Sequence, residues 1–193
     1  TLQLSGRGSF YLPSLICWLL ILAFALFFAA LAVQQHRTFQ TNALDLGNVD
    51  QALWNTAQGR FFRFTLMAPV ESRLALHVEP ILLVWLPFYW FNLGGPELLL
   101  VSQALIVALG AWPLYKIAII NYQLVISNEH FVKWLALVFP LVYLLLPTLE
   151  SAVLYDFHAV TLAPTFLLFA FLALEQKRDG RFIFFALLAV AFK

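Results

Sequence analysis

The sequence predicts an all-α membrane protein, a polytopic bundle of transmembrane helices with a large outer loop that carries juxtamembrane and interfacial helices. Two observations predict this fold class. Hydrophobic residues make up 63% of the 193 residues and charged residues only 11%, whereas about 25% of a soluble domain is charged. The apolar residues are also gathered into long runs without charge. So few charged side chains cannot cover the surface of a water-soluble protein of this length.

Composition also excludes several classes of function. The net charge is +1, and Lys and Arg form no run or stripe, so a nucleic-acid partner is not expected. The single cysteine, Cys17, lies in an apolar run, which excludes a disulfide framework and a cysteine-based metal site. The chain begins at Thr1 rather than Met, and its last apolar run stops at its end. We therefore expect one membrane domain, truncated at its C-terminus, with membrane lipids as partners.

Five apolar runs are predicted to be membrane spans, because about 20 apolar residues cross a bilayer. They are residues 11–33, 97–116, 134–149, 159–174 and 182–193, the last of which is cut off. Residues 34–96 form the loop between the first two spans. Within this loop, residues 80–93 are apolar but short, and they are rich in Trp and Tyr. Such residues concentrate at the membrane–water boundary, so this segment is predicted to be interfacial or re-entrant.

The distribution of charge predicts which side each loop faces. If residues 80–93 do not cross the membrane, one side receives Arg7, Lys116, Lys133, Lys177, Arg178 and Arg181. The other side receives Asp45, Asp50, Glu71, Glu79, Glu97, Glu150 and Asp156. Cytoplasmic loops carry an excess of Lys and Arg. We therefore predict a plasma-membrane protein with a cytoplasmic N-terminus, and outer loops over residues 34–96 and 150–158.

The first group of polar residues lies on an amphipathic helix predicted over residues 45–58. Its apolar stripe consists of Leu46, Val49, Leu53 and Ala57. Its Asn and Gln residues occupy the other face, and Gly59 is expected to end the helix. Asp45 lies at the start, as either an N-terminal cap or a functional carboxylate. Asp50 projects within the apolar stripe, where a carboxylate needs a partner or a ligand.

Two further groups combine a carboxylate with a histidine. Pro80 favours an extended conformation for Glu79, so His77 and Glu79 are expected to project to the same side. They would act as metal ligands, as a base with its orienting carboxylate, or as an inert surface pair. Asp156 and His158 lie at the outer mouth of the third and fourth spans. There Asp156 would either cap the following helix or belong to a functional site.

These residues resemble a known family. The likeness rests on Leu-Asp-Leu-Gly-Asn-Val-Asp-Gln-Ala-Leu-Trp-Asn at 44–55, Gly59-Arg60, His77-Val78-Glu79-Pro80 and Asp156-Phe157-His158. In this order they resemble the prokaryotic membrane proteins of domain of unknown function 2079, over nearly the whole chain. That family is more distantly similar to the GT-C glycosyltransferases, which take a sugar from polyprenyl phosphate at the outer membrane face. Those enzymes place an essential Asp just after the first span, and Asp45 occupies the matching position.

The resemblance implies a glycosyltransferase that uses a polyprenyl-phosphate-linked sugar. Its implied catalytic residues are Asp45, Asp50 and Asp156. Its implied substrate-binding residues are Arg73, His77, Glu79 and His158, with Arg73 as a clamp for the phosphate. A divalent cation would be held by His77, Glu79, Asp156 and His158 and would stabilise the phosphate. Two alternatives stay open, namely a transporter or lipid flippase, which would need ionisable groups within its spans, and an assembly subunit without a site.

Overall fold

The chain is mainly helical, as its composition predicts. A computed structural model describes residues 6–192, with side chains from residue 12 onward. The helices are α1 Gly6–Arg37, α2 Asn48–Ala57, α3 Leu86–Trp90, α4 Pro96–Leu109, α5 Ala111–Gln123, α6 Glu129–Leu135, α7 Val138–Leu144, α8 Pro147–Leu154, α9 Ala163–Glu175 and α10 Asp179–Val190. The strands are β1 Arg63–Met67 and β2 Val70–Ser72. Arg7 has no described side chain, and the predicted end of the last span, Lys193, lies outside the described residues.

Two helices of the described chain are long and apolar enough to cross a membrane, namely Leu12–Arg37 and Pro96–Gln123. The second of them joins α4 to α5 through Gly110, and it continues seven residues past the predicted end of the span at residue 116. The helical class is therefore confirmed, together with at least two segments of membrane-spanning length.

The third apolar run, predicted as a span over residues 134–149, is divided into two helical stretches. Glu129–Leu144 and Pro147–Leu154 are two helical stretches bent by 48° relative to each other, and together they are long enough for one further crossing. Pro147 has no amide hydrogen to donate and restricts the residue before it, so the helix breaks there. The second stretch continues beyond the predicted end of the span at residue 149 and ends at Leu154.

Helices α1 and α4 pack along each other. Small side chains are buried on both helices, namely Ala25, Ala29, Ala32, Ala104 and Ala108, and they let the backbones approach closely. At one end of the pair Arg37 meets Glu97 through two hydrogen bonds, Nε to Oε1 at 2.8 Å and Nη2 to Oε2 at 3.0 Å. Residues 38–95 therefore leave and return at the same end of the helix pair.

The opposite end of the helices is basic. Lys116, Lys133 and Arg178 line one cavity together with Ser14, near the start of α1. Ser14 lies about 35 Å from Arg37 along the helix, at 1.5 Å per residue. Basic side chains that the positive-inside rule assigns to one side thus meet at one end of the bundle.

The β-hairpin was not predicted, and it changes the environment of α2. Arg63 of β1 lies opposite Ser72, and Met67 lies opposite Val70. Gln51 of α2 donates to Thr65 Oγ1 at 3.0 Å and accepts from the Thr65 amide at 2.9 Å. Asn55 donates to the Arg63 carbonyl at 2.9 Å.

The polar face of α2 packs against the hairpin at Gln51 and Asn55, while Gln58 after the end of the helix is exposed. Asn48 and Asn55 are buried, at 3% and 7% exposure. The predicted apolar stripe is buried at Leu46, in the turn before α2, and at Val49 and Leu53 of α2. The helix ends at Ala57 and is followed by Gly59 with a positive φ of 80°, a conformation that glycine adopts without steric cost.

Candidate functional site

A cavity of about 620 Å³ lies where the segment between α1 and α4 meets the turn before α9. Its polar lining is Asp45, Asn48, Arg73, His77, Glu79 and His158. Five of these six residues belong to the seven predicted site residues. The other two predicted residues, Asp50 and Asp156, are not part of the lining. Apolar side chains including Val49, Phe157 and Phe192 form the rest of the wall.

Asp45 and His158 lie against each other in the lining of this cavity. His158 Nε2 lies 3.4 Å from Asp45 Oδ1, and both side chains are partly exposed. Asp45 does not cap a helix, as one interpretation of the sequence proposed. It lies within a π-helical turn, Ala43–Gly47, which is capped by the Asn42 side chain accepting from the Leu44 amide at 2.9 Å. The Asp45 carboxylate is therefore available to a ligand, and a carboxylate in this position can accept a proton from a hydroxyl group.

Arg73 is the buried cation of the site. Its Nε and Nη2 donate to Glu79 Oε2, the former at 3.1 Å, and its Nη1 donates to Asn48 Oδ1 at 2.9 Å. Arg73 and Glu79 are only 6% and 8% exposed. A buried ion pair holds its geometry when further hydrogen bonds satisfy it, and Asn48 supplies one. The guanidinium is thus fixed at the cavity wall.

His77 and Glu79 line the same cavity. The backbone of Glu79 is non-helical, with φ −122° and ψ 76°, and it does not reach the extended conformation predicted from Pro80. The partner of the Glu79 carboxylate is Arg73 and not His77, so the two residues form neither a base–carboxylate pair nor an inert surface pair. Neither of these two interpretations paired Glu79 with Arg73, because Arg73 is brought close to Glu79 by the β1–β2 hairpin that precedes it.

Asp156 lies behind the cavity and ties two distant segments together. Its Oδ2 accepts a hydrogen bond from the backbone N–H of Asn42 at 2.9 Å. Its own backbone has a φ of 146°, which is uncommon for residues other than glycine. Asp156 does not cap the next helix, which begins after His158. Burial raises the pKa of the Asp156 carboxyl, and the Asn42 hydrogen bond opposes that rise. Asp156 therefore fixes the start of the turn that carries Asp45.

Gln103 of α4 is a site residue that the sequence interpretation missed. It is fully buried, and its Nε2 donates to the carbonyls of Asp156 at 2.7 Å and Val153 at 3.1 Å. Its Oε1 accepts from the His158 amide at 2.9 Å. A lone amide inside an apolar span was the available signal, because a buried amide needs hydrogen-bond partners there.

Asp50 has the partner that its burial demands. Tyr89 Oη donates to Asp50 Oδ1 at 2.7 Å, which joins α2 to α3. Burial raises the pKa of Asp50, and the hydrogen bond from Tyr89 acts in the opposite direction. The two side chains lie outside the cavity lining, so Asp50 supports the helix that carries the site.

The four predicted metal ligands are not gathered at one point. Among the described residues, no group of three or more His, Cys, Asp or Glu side chains is arranged to hold a metal ion. Glu79 is engaged by Arg73, and Asp156 is engaged by the Asn42 amide. His77, Glu79, Asp156 and His158 therefore do not form the single site that was predicted.

Comparison with known proteins yields a family and no closer relative. The family described as predicted membrane protein, domain of unknown function 2079, matches residues 35–193 of the chain. Neither a curated protein nor a solved structure matches it. All of the site residues lie within the matched range.

Removal of the buried cation should destabilise the fold more than removal of the whole ion pair. Arg73→Met leaves the Glu79 carboxylate buried without its cation, so the free energy of unfolding in mixed detergent should fall by about 3–5 kcal/mol. Arg73→Met/Glu79→Leu removes both charges and should be the more stable of the two variants. The control is Arg63→Met. It removes an exposed ion pair, between Arg63 and Glu71 at 3.4 Å, and such a pair contributes about 0–1 kcal/mol. A double variant as unstable as Arg73→Met would contradict the account.

Loss of the Tyr89 hydroxyl should matter more as the pH rises. The pKa of Asp50 in the folded protein lies above its ordinary value of 3.8. The stability that comes from its protonated form is therefore fully present below pH 3.8, and it is lost as the pH rises through the folded-state pKa. Tyr89→Phe removes a hydrogen bond that favours the charged carboxylate. Its Tm deficit should therefore be larger at pH 7 than at pH 4. In an Asp50→Asn background the deficit should not change with pH, and equal deficits in the parent protein at both pH values would refute this role.

Proposed function

The chain belongs to the predicted-membrane-protein family of domain of unknown function 2079, and from this premise we propose that it is a GT-C-like glycosyltransferase. It transfers a sugar from polyprenyl phosphate to an acceptor hydroxyl at the outer face of the membrane. The observation that carries the proposal is the contact of Asp45 with His158 in a cavity whose wall also holds Arg73. These groups provide a proton acceptor and a phosphate-binding cation within one site.

The separation of charge along the bundle supports an outer position for this cavity. The basic side chains of Lys116, Lys133 and Arg178 meet at the end that contains Ser14. The cavity is built from the segment that leaves α1 at the opposite end, beside Arg37 and Glu97. Under the positive-inside rule the basic end is cytoplasmic, and the cavity then faces outward.

The proposed reaction is a substitution at the anomeric carbon of the sugar. The acceptor oxygen forms a bond to that carbon, and the bond from the carbon to the phosphate oxygen breaks. The electron pair leaves with polyprenyl phosphate, and the acceptor proton passes to the Asp45 carboxylate. His158, whose Nε2 lies 3.4 Å from Asp45 Oδ1, holds the carboxylate in place.

Arg73 is suited to the phosphate of the donor. Three of its N–H groups are directed at Glu79 and Asn48, and a guanidinium has five, so two are left for phosphate oxygens. A preorganised cation at the leaving group stabilises the charge that develops in the transition state. His77 lines the same cavity and adds a second donor for the substrate.

Asp50 and Asp156 are assigned positioning roles in this proposal. Asp156 acts on the site through the Asn42 amide, and Asp50 acts through Tyr89. The apolar wall, including Phe157 and Phe192, suits the first isoprene units of the carrier, because apolar surface favours apolar chains.

Asp45→Asn keeps the size of the side chain but removes its ability to take a proton. In the full-length protein reconstituted into vesicles, transfer from a radiolabelled polyprenyl-phosphate hexose should fall at least about 100-fold in kcat, with little change in KM. The matched control is Glu71→Gln, an exposed carboxylate on β2 that is not part of the cavity lining. Transfer by Glu71→Gln should be unchanged. Turnover by Asp45→Asn at the parental rate would remove Asp45 from the mechanism.

A further inference from the structure

A second cavity, of about 550 Å³, lies at the end of the bundle opposite the Asp45 site. It is an open cavity lined by four parts of the chain, namely the start of α1 at Ser14, the second half of α5, α6 at Lys133, and the end of α9 with the turn that follows it. No residue of the proposed transferase site contributes to it. Its chemistry therefore needs a separate account.

The charged groups of this cavity are mainly cations. Among the side chains that the structure describes, Lys116, Lys133 and Arg178 line it, together with one carboxylate, Glu175. Lys133 is also paired with Glu129, at 3.7 Å. Cations from α5, α6 and the turn after α9 thus line one cavity, and an anionic group placed among them gains a favourable electrostatic interaction. The arrangement suits a ligand with negative charge.

The apolar part of the cavity indicates where that ligand comes from. Ile119 and Ile120 form part of the wall beside Lys116, and Lys116 Nζ lies 5.4 Å from the ring centroid of Trp112. Trp112 in turn stacks on Trp18, with ring centroids 4.8 Å apart. Trp residues mark the membrane–water boundary, so the cavity lies at the depth of lipid headgroups. A soluble anion gains no binding energy from contact with the apolar wall. A phospholipid can contact both parts of the cavity, because it has a phosphate and an acyl chain.

We infer that this cavity binds the headgroup of an anionic phospholipid, with its phosphate between Lys116, Lys133 and Arg178 and its acyl chain along Ile119 and Ile120. Basic pockets between transmembrane helices on the cytoplasmic side bind lipid headgroups in this manner. The lipid connects α5, α6 and the α9–α10 turn, and so it stabilises the packing of the basic end. This binding is independent of the proposed transfer reaction, because it involves none of the same residues.

The experiment measures the Tm of the full-length protein in a nonionic detergent with added phosphatidylglycerol. At a free lipid concentration about one hundred times its Kd, phosphatidylglycerol should raise the Tm by roughly 5 °C. Phosphatidylcholine, which has no net charge, should give little change. Inorganic phosphate at the same concentration should also give little change, and a full shift with phosphate would overturn the lipid assignment in favour of a soluble anion.

A pair of matched variants locates the effect. Lys116→Gln/Arg178→Gln removes two cavity cations and should lose most of the Tm shift. Lys177→Gln/Arg181→Gln removes the same charge from exposed neighbours that do not line the cavity, and it should keep the shift. Equal losses in both variants would overturn the proposal, because the lipid would then respond to net charge alone.

A further variant separates binding from folding. Lys116→Arg/Arg178→Lys keeps both charges in the cavity and should keep the lipid. Native mass spectrometry should find one phosphatidylglycerol on the parent protein and on this variant, and none on folded Lys116→Gln/Arg178→Gln. Retention of the lipid by the folded Gln variant would contradict the assignment.

Discussion

The candidate site depends on the hydrogen bonds of one buried amide, that of Gln103. Its NH₂ group donates to the carbonyls of Val153 and Asp156, and its carbonyl accepts from the amide of His158. A polar group without partners in an apolar bundle costs several kcal/mol, so rotation of α4 relative to the end of α8 is strongly disfavoured. The turn that carries His158 is thereby attached to the most buried face of α4.

A second link fixes the opposite wall of the cavity. The Asp156 carboxylate accepts from the Asn42 amide, and the Asn42 side chain caps the turn that holds Asp45. The backbone of Asp156 is thus held by Gln103, while its side chain holds the segment after α1. One residue connects the two walls, and this explains how Asp45 and His158, 113 positions apart, come within 3.4 Å.

The features of the fold that the sequence predicted depend on hydrophobicity or on the distribution of charge. Apolar runs predicted the helices, and the grouping of Lys116, Lys133 and Arg178 at one end agrees with the positive-inside rule. These features follow from single residues or from short stretches of chain.

The features that could not be predicted depend on contacts between distant segments. The hairpin of β1 and β2 is short, and the Asn and Gln residues that it covers resemble a solvated helix face in the sequence. The pairing of Arg73 with Glu79 and Asn48 follows from that hairpin. The contact of Asp45 with His158 requires α1, α4 and α8 to be packed first, so no local pattern reveals it.

The measurement that tests the central claim most directly is side-specific labelling of single cysteines in the full-length protein lacking Cys17. The positions are His77 and Tyr155, in the two segments that build the cavity, and Gln123 at the basic end. All three side chains are exposed. An impermeant maleimide applied to intact cells should label positions 77 and 155, and it should label position 123 only after permeabilisation. Labelling of 77 with protection of 155, or labelling of 123 alone, would show that the Asp45–His158 cavity is not a single site on the outer face.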